Sequence, residues 1–587
     1  MLINGSPINA TATDGLNGLT KTPVPQMVVP GAAFRWSLLV LVAGADVSSR
    51  LTGQVEIDRE RGAAGVATFT MQMRPGAVIP MDWVGREVQI YYLSTAHGAT
   101  TQRRRYTGRI VTTEWNAVMR LLTCHCGDQL QQRVEKLSVD EVDDLTPSFW
   151  SLDVFETPEG RSRWDYVQER LGTIQASLDS SADGQLRLTS WYAGGQDFVF
   201  GAGTTIYDSI NISYADLTSL TNKIEIEASY RFSRLWQLNE SFSWGHPGTE
   251  GFGGTQGFCL WRKDGTELVD IPMMKDAASS GGLSIIGKPQ YSRIPPSGGN
   301  ICGNGQPWVN SYPDLLLGFT FVGARRWTQA VTEKYTMIVQ ADSSIEQAGE
   351  VITRESLSIE YSTEVAEAWE GTAFGIDATT AGNGGTVELP VVNEGNSGHI
   401  DERDEARRQA ALRCVLNQAK TAIVLAHSAT TISWNVPTSM VLDVDLVHTL
   451  QISDQGVNAR ARCSRVLDSF DLAAGTAITT LGITVMRGGG YVNDALNPPA
   501  PSVVPQPEEE IQTGLHTQLG GKSSSGAYDD TRDGFSGNYD NAQTNLEVFP
   551  RRLQIVTAEI AEEDRDEKVV EVAATYRVSI PNDLLEF

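Results

Sequence analysis

A mainly β protein with minor α is the fold class that three observations predict. Strand-like segments rich in Val, Ile, Thr, Tyr and Phe recur along most of the chain, with short turns between them. Fifty-six glycines, thirteen tryptophans and sixteen tyrosines suit turn-rich β structure. One long amphipathic helical pattern stands out, at 402–424.

The 587 residues suggest about four domains. Hydrophobic residues at 41% and charged residues at 20% exclude a wholly disordered chain. There is no run of about 18 apolar residues, so no stable membrane insertion is expected. The first residues carry no positive charge ahead of an apolar block, so no secretory signal is expected. Forty-six basic against seventy-two acidic residues give a net charge of −26. That surface repels a phosphate backbone and disfavours sequence-specific nucleic-acid binding. Six cysteines make no disulfide framework and fit folding in a reducing compartment.

Residues 1–30 read as an irregular arm punctuated by Pro23, Pro25 and Pro30. Residues 31–137 form a first β domain, with strands at 38–42, 54–57, 66–73, 87–93, 105–115 and 118–124. Asn116-Ala117 reads as a two-residue turn, and Asp128 as the N-cap of a closing helix through Leu130, Val134 and Leu137. Residues 138–204 read as a connecting α+β segment. Its helix at 161–171 is ended by Gly172, and strands follow at 185–189 and 197–200.

Residues 205–400 form a β-rich region. Ile224, Ile226 and Ala228 alternate with Glu225, Glu227 and Ser229, which defines a strand with one buried face. Within it, 236–312 is dense in Gly and carries Trp236, Trp244, Trp261 and Trp308, so it reads as a loop-rich insertion. Strands at 315–322, 334–340 and 356–361 follow. Residues 401–492 hold the helix 402–424, capped by Asp401 with an Arg- and Gln-rich face turned to solvent, then strands at 431–436, 443–452, 459–468 and 477–486. Residues 493–549 read as a Pro-rich and flexible linker. Residues 550–587 recover strand alternation at Val570, Val572, Ala574, Tyr576, Val578 and Ile580. So short a segment cannot bury its own core, and it is expected to dock on another surface, of its own oligomer or of a partner.

Chemistry is sparse. None of the seven histidines, His246 included, has ligand spacing. Cys124 and Cys126 share one side of a strand. A zinc or iron–sulfur site there needs two more ligands, for which Cys259 and Cys302 are the candidates, and free thiols packed at a strand edge are the simpler reading. Cys414 and Cys463 read as buried small hydrophobes. The glycines of 251–257 lack a phosphate-binding context. Glu56 with Asp58, and Asp143 with Asp144, can be posed as glycosidase pairs, but sequence spacing sets no distance in space. Asp529 to Asp533 misses the calcium-loop pattern. The insertion tryptophans either stack on sugars or anchor loops. Arg103, Arg104 and Arg105 form the one sharp basic cluster, either pairing with acidic neighbours across a subunit boundary or lying solvated at a hairpin edge. No catalytic, cofactor-binding or metal residue is assigned, no cofactor is expected, and the chain is not read as an enzyme.

The order of motifs over 38–137 resembles the bacteriophage tail baseplate hub family, the late-control-protein-D-like group. The features are Asp46-Val47-Ser48, Gly65-Val66-Ala67-Thr68-Phe69, Gly85 to Ile90, Tyr106 to Ile110, and Cys126 to Leu130. The segments 164–191 and 402–424 with 434–453 are similar to later parts of that family. The resemblance implies two tail-tube-like β-barrels per chain, joined by α+β segments. It implies a homotrimeric, pseudo-hexameric ring at the distal end of a phage tail, assembled in the bacterial host cytoplasm. Implied partners are a distal tail or tail-tube protein, the tape measure protein, and central tip or receptor-binding fibre proteins, with transient passage of DNA through the lumen. Some tail-tip proteins carry an iron–sulfur cluster in a C-terminal domain, but here no cysteine follows Cys463. The alternatives are a tail-associated cell-envelope glycan hydrolase and a carbohydrate-binding adhesin.

Overall fold

The computed structural model describes residues 26–28, 35–76, 79–96, 99–216, 220–245, 269–293, 296–300, 303, 305–309, 315–360, 397–490, 492–501 and 560–587. The architecture is mainly β, with two large sheets and few helices.

The larger sheet has fifteen strands. Six lie side by side in the order Arg35–Val42, Glu87–Ala96, Ala99–Asn116, Leu121–Gly127, Val66–Gln72 and Leu51–Glu60, all antiparallel. Period-two alternation sends one face of each strand inward. Val40, Phe69, Met71, Ile90, Tyr92, Leu122 and Cys124 make that core. Each fully buried side chain of this size is worth about 1.5–3 kcal/mol. The motifs of this stretch have physical roles. The Asp46 carboxylate accepts from Ser48 N at 2.9 Å, and Ser48 Oγ accepts from Val40 N at 2.9 Å, which fixes the first turn. Gly65 N donates to Asp128 Oδ2 at 2.9 Å while Leu130 N donates to Asp128 Oδ1 at 3.0 Å. One carboxylate thus ties a strand start to the first turn of Leu130–Val134. Gly108 is required because a Cβ there would lie 2.6 Å from the Gly127 carbonyl oxygen and against the Tyr106 hydroxyl.

The sheet then continues without a break. Leu51–Glu60 pairs antiparallel with the second half of Val457–Asp471. The first half of that same strand pairs with Thr449–Asp454. On its other side lie Leu584–Glu586 and Thr476–Val485. Phe200, Trp434, Val436, Leu450, Ile452, Ala461 and Ile483 form a second core. One fifteen-residue strand is therefore shared by two curled units. The hydrogen-bond ladder does not close round the first unit among the described residues. Its gap is bridged by side chains: Trp36 Nε1 donates to the Gly475 carbonyl at 3.0 Å, and the Trp36 ring lies 5.9 Å from that of Phe470. The described residues thus form one continuous curled sheet wrapped around two cores.

The second sheet has seven strands around one long hairpin. Lys223–Gly245 pairs with Leu315–Gln340 over 23 residues without a register shift. Helix Glu405–Ala426 packs Ala411, Leu412, Val415, Leu416, Ala419 and Ile423 onto Ile224, Ile226, Ala228 and Tyr230 of its base. At the far end, Phe242, Phe319 and Phe321 pack with Met274 and Ala277 of helix Ile271–Ser280. No described helix is long and apolar enough to cross a membrane.

Several sequence expectations are corrected. The strand runs on through Trp236 to Gly245, so the first ten residues of 236–312 are strand and not loop. The segments 315–322 and 334–340 belong to one strand, because the hairpin pairing never breaks. The turn after Asn116 spans Ala117 to Arg120, with Arg120 at φ 53, since Asn116 pairs with Leu121. Residues 443–448 are not strand; the ladder starts at Thr449. Asp404, not Asp401, caps the long helix by accepting from Arg407 N. Asp401 lies in strand Ser397–Glu402 and pairs with Arg234 at 2.6 Å. Nor is the Arg-rich face of the helix wholly solvated. Arg408 is fully buried and donates to Tyr335 Oη at 2.8 Å and to the Pro499 carbonyl at 3.1 Å.

The C-terminus is accounted for within the chain. Lys568–Arg577 adds in parallel to Val331–Gln340 of its own hairpin. Leu584–Glu586 pairs with Asn458–Arg460. The start of the expected linker is also pinned: Asp494 pairs with Arg577, Asn497 O accepts from Tyr576 Oη at 2.7 Å, and Pro499 O is held by Arg408. Residues 502–559, and all of the arm except strand Gln26–Val28, lie outside the described residues.

Candidate functional site

The described residues hold no group of three or more His, Cys, Asp or Glu placed to hold a metal ion. What converges is charge, at the seam where the two curled units meet.

Arg105 comes first. In the pairing of Ala99–Asn116 with Glu87–Ala96, Tyr106 opposes Ile90 and Arg104 opposes Tyr91, so Arg105 is the extra residue of a β-bulge. A bulge breaks alternation and re-aims a side chain. Arg105 and Tyr106 are consecutive, yet both are buried. The Arg105 guanidinium meets Asp468 in a two-pronged pair, Nε to Oδ2 and Nη2 to Oδ1, both 2.8 Å. Its Nη1 donates to the Leu442 carbonyl at 2.9 Å. Thr479 Oγ1 donates to Asp468 Oδ1 at 2.6 Å. Burial opposes the charge on Asp468, and the Arg105 guanidinium overrides it, so the carboxyl stays below its usual range. A buried pair of this geometry joins the first unit to the shared strand.

A second set of ion pairs lies along the same seam. The Asp445 carboxylate accepts from Arg59 Nη1 and from Arg187 Nη1, each at 2.7 Å, and Arg187 Nε donates to Asp179 Oδ1 at 2.7 Å. Burial opposes the Asp445 charge, but Arg59 and Arg187 hold it far below the ordinary carboxylate value. Arg59 belongs to the first unit, Asp445 to the second, and Arg187 with Asp179 to the hairpin Ala176–Ser180 with Leu186–Ser190. Three parts of the chain are thereby fixed at one point. At the rim, Arg103 pairs with Asp443 at 2.8 Å and Arg465 with Asp58 at 2.6 Å, both solvent-facing and worth at most about 1 kcal/mol each. The arginine cluster thus does pair with acidic neighbours, but inside one chain. Nothing in sequence spacing marked Asp468 or Asp445 as the partners; the one signal was three adjacent arginines in an acidic field.

The other sequence candidates are used structurally. Cys124 and Cys126 point into the first core as free thiols, and Cys414 and Cys463 are buried and free as well. Cys259, Cys302, His246, Trp261, the 251–257 glycines and Asp529 to Asp533 lie outside the described residues. Trp236 is buried, stacked on Trp327 at 5.9 Å with its Nε1 donating to Gln329 Oε1 at 3.0 Å. Asp58 is taken by Arg465, and Asp143 accepts from Tyr166 Oη at 2.7 Å and pairs with Arg170.

No protein-family model matches the chain, and no curated protein matches it. Among solved structures it is similar to a tail protein from Neisseria meningitidis MC58, at 8% identity and a TM-score of 0.35, over 77% of this chain and 96% of that one. It is also similar to the 43 kDa tail protein of prophage MuSo2 from Shewanella oneidensis, at 10% identity and a TM-score of 0.33, over 76% and 98% of the two chains. A third is prophage tail protein gp18 from Listeria monocytogenes EGD-e, at 7% identity and a TM-score of 0.29, over 76% and 94%.

Proposed function

We propose that the chain is a structural hub protein of a phage tail tip and not an enzyme. The observation that carries this reading is the pair of curled β units built side by side on one shared strand, Val457–Asp471, and welded by Arg105 and Asp468. Three copies of a chain that holds two β units in fixed orientation would place six units in a ring, which suits an adaptor between a hexameric tube and a trimeric tip. The motif order over 38–137 supports the same assignment. So does exposed apolar surface on the first unit: Val66 and Val111 are exposed on the strands either side of Gly127. Exposed apolar residues grouped on a sheet suit burial against another copy.

In this reading the homotrimer joins the distal tail or tail-tube protein to the tape measure protein and to central tip or receptor-binding fibre proteins. It sits at the distal end of the virion tail after assembly in the host cytoplasm. The net charge of −26 suits a lumen through which DNA passes without sticking. A glycan hydrolase or adhesin is less well supported, because Trp236, Asp58 and Asp143 are each engaged in packing or ion pairs.

Light scattering of the full chain at several concentrations, with negative-stain images of the same sample, tests the reading. A mass of three times 63.8 kDa and a ring with a central channel are expected. A compact monomer at every concentration would overturn the trimeric ring.

A further inference from the structure

Six buried polar atoms without a partner among the described residues lie along the ion-paired seam. They are Arg59 Nε, Arg61 Nη1, Arg187 Nη2, Arg462 Nε, Asp179 Oδ2 and Thr189 Oγ1. Their proximity follows from the pairing. In the hairpin Ala176–Ser180 with Leu186–Ser190, Asp179 opposes Arg187 and Ser177 opposes Thr189, so all four lie on one face. Asp445 bridges Arg187 to Arg59 through two contacts of 2.7 Å. Arg61 lies over the Trp191 ring at 5.7 Å, and Trp191 Nε1 donates to Ser177 Oγ at 2.6 Å. Arg462 feels the charges of Asp197, Asp179 and Arg187, and Arg61 those of Arg462 and Asp179.

The four guanidiniums have Asp179, Asp197 and Asp445 around them, Glu60 acts on Arg61, and buried Asp128 with Arg133 stands beside Asp179. Arg105 and Asp468 neutralise each other nearby, and burial depresses the pKa of His448 and so favours its neutral form. Arg59, Asp179 and Thr189 are all buried, and four guanidinium N–H donors there lack an acceptor among the described residues. Buried polar groups are nearly always satisfied, and an unpaired buried charge is costly.

We propose that this cluster is a binding site for one inorganic phosphate ion. The four unpartnered guanidinium N–H groups are donors that match the oxygens of a tetrahedral oxyanion. Asp179 Oδ2 is the discriminating atom, because an ionised carboxylate oxygen accepts and cannot donate. It demands a ligand that carries a proton. Hydrogen phosphate and dihydrogen phosphate have an O–H to give it; sulfate at neutral pH has none. Thr189 Oγ1 fits either role. An ion held here would touch the first unit through Arg59 and Arg61, the connecting hairpin through Arg187 and Thr189, and the shared strand through Arg462. It would lock the angle between them.

The full-length chain, freed of phosphate and sulfate by dialysis, is titrated by calorimetry with sodium phosphate and separately with sodium sulfate at pH 7. One saturable site per chain is expected, with phosphate at least about tenfold tighter than sulfate, the size of effect that one unsatisfied buried acceptor produces. Asp179→Asn removes the demand for a donated proton and is expected to bring the two ions within about threefold of each other. Thr189→Val, which keeps the shape of the side chain, is expected to weaken phosphate binding. The absence of saturable heat in the natural protein would overturn the proposal. So would equal affinity for both ions, or a density map of the phosphate-soaked protein with only water between Arg187 and Asp179. The comparison of ions on the natural chain decides the matter even if Asp179→Asn does not fold, as judged by near-ultraviolet circular dichroism.

Discussion

Arg105 and Asp468 are 363 residues apart in sequence and meet through two hydrogen bonds of 2.8 Å in a site closed to water. The contact requires a β-bulge on one strand and the shared strand Val457–Asp471 on the other. Removing one partner leaves a bare buried charge. Arg105→Ala or Asp468→Ala is therefore expected to destabilise the chain by about 3–5 kcal/mol. The double substitution Arg105→Ala with Asp468→Ala is expected to cost less than the sum of the single changes. Urea unfolding of the four species, read as a double-mutant cycle, checks both expectations.

Gly108 faces Tyr106 on its own strand and Gly127 on the neighbouring one. Any Cβ at 108 meets the Gly127 carbonyl at 2.6 Å, and backbone cannot swing aside as a side-chain tip can. Gly108→Ala is expected to cost about 1–3 kcal/mol, as overpacking does. Shortening the neighbour through Tyr106→Phe is not expected to restore it, because the carbonyl clash remains. Thermal unfolding of the single and double variants measures this.

Gly108 also shows what was legible in the sequence. The glycine-marked strands and the Asp46 turn are local motifs, used where the pattern puts them, whereas Asp128, expected as an N-cap, precedes the cap residue Gln129 and reaches Gly65, 63 residues away. Strand positions over 31–137 followed from alternation for the same reason. The long hairpin was read as pieces because Trp236 and its glycine-rich sequel looked like loop. Its strand character comes from pairing with residues about 90 positions away, such as Trp327. The C-terminal strand was recognised, but not its acceptor, since Val331–Gln340 is already a full strand with nothing to mark one edge as open. Arg105 read as a surface residue because a bulge is a property of two strands, and the sequence displays only one at a time.

The free thiols give a third test. Burial raises the pKa values of Cys124, Cys414 and Cys463 to about 12, and raises that of Cys126 as well. At pH 8 essentially none of these four is thiolate, the reactive form. Peptide-resolved alkylation of the folded chain is expected to leave all four unmodified and to label them only after unfolding. Rapid native-state labelling of Cys124 or Cys126 would contradict the packed-core placement.

Asp583 supplies a pH dependence with a definite sign. It lies in the C-terminal segment between Lys568–Arg577 and Leu584–Glu586, where its Oδ2 accepts from Met486 N at 2.9 Å and its carbonyl from Arg487 Nη1 at 2.9 Å. Burial raises its pKa from the ordinary 3.8 to about 6, against the pull of the Met486 hydrogen bond and of Arg460 and Arg487. The folded form thus holds a proton more tightly than the unfolded form. Its contribution to stability is fully present below pH 3.8 and is lost as pH rises through about 6. Other carboxylates titrate in the opposite sense, Asp445 among them, so the total curve hides the effect. The difference between the natural chain and Asp583→Asn isolates it. The asparagine keeps an acceptor for Met486 N and carries no charge. It is expected to be more stable than the natural chain at pH 7.5, by on the order of 2–3 kcal/mol, with the advantage shrinking towards zero near pH 4. Hydrogen exchange at Asn458 to Arg460, whose strand pairs with Leu584–Glu586, locates the change at the C-terminal docking site. A stability difference that does not vary between pH 4 and 7.5 would show that the Asp583 carboxyl is not held in its buried, proton-favouring position.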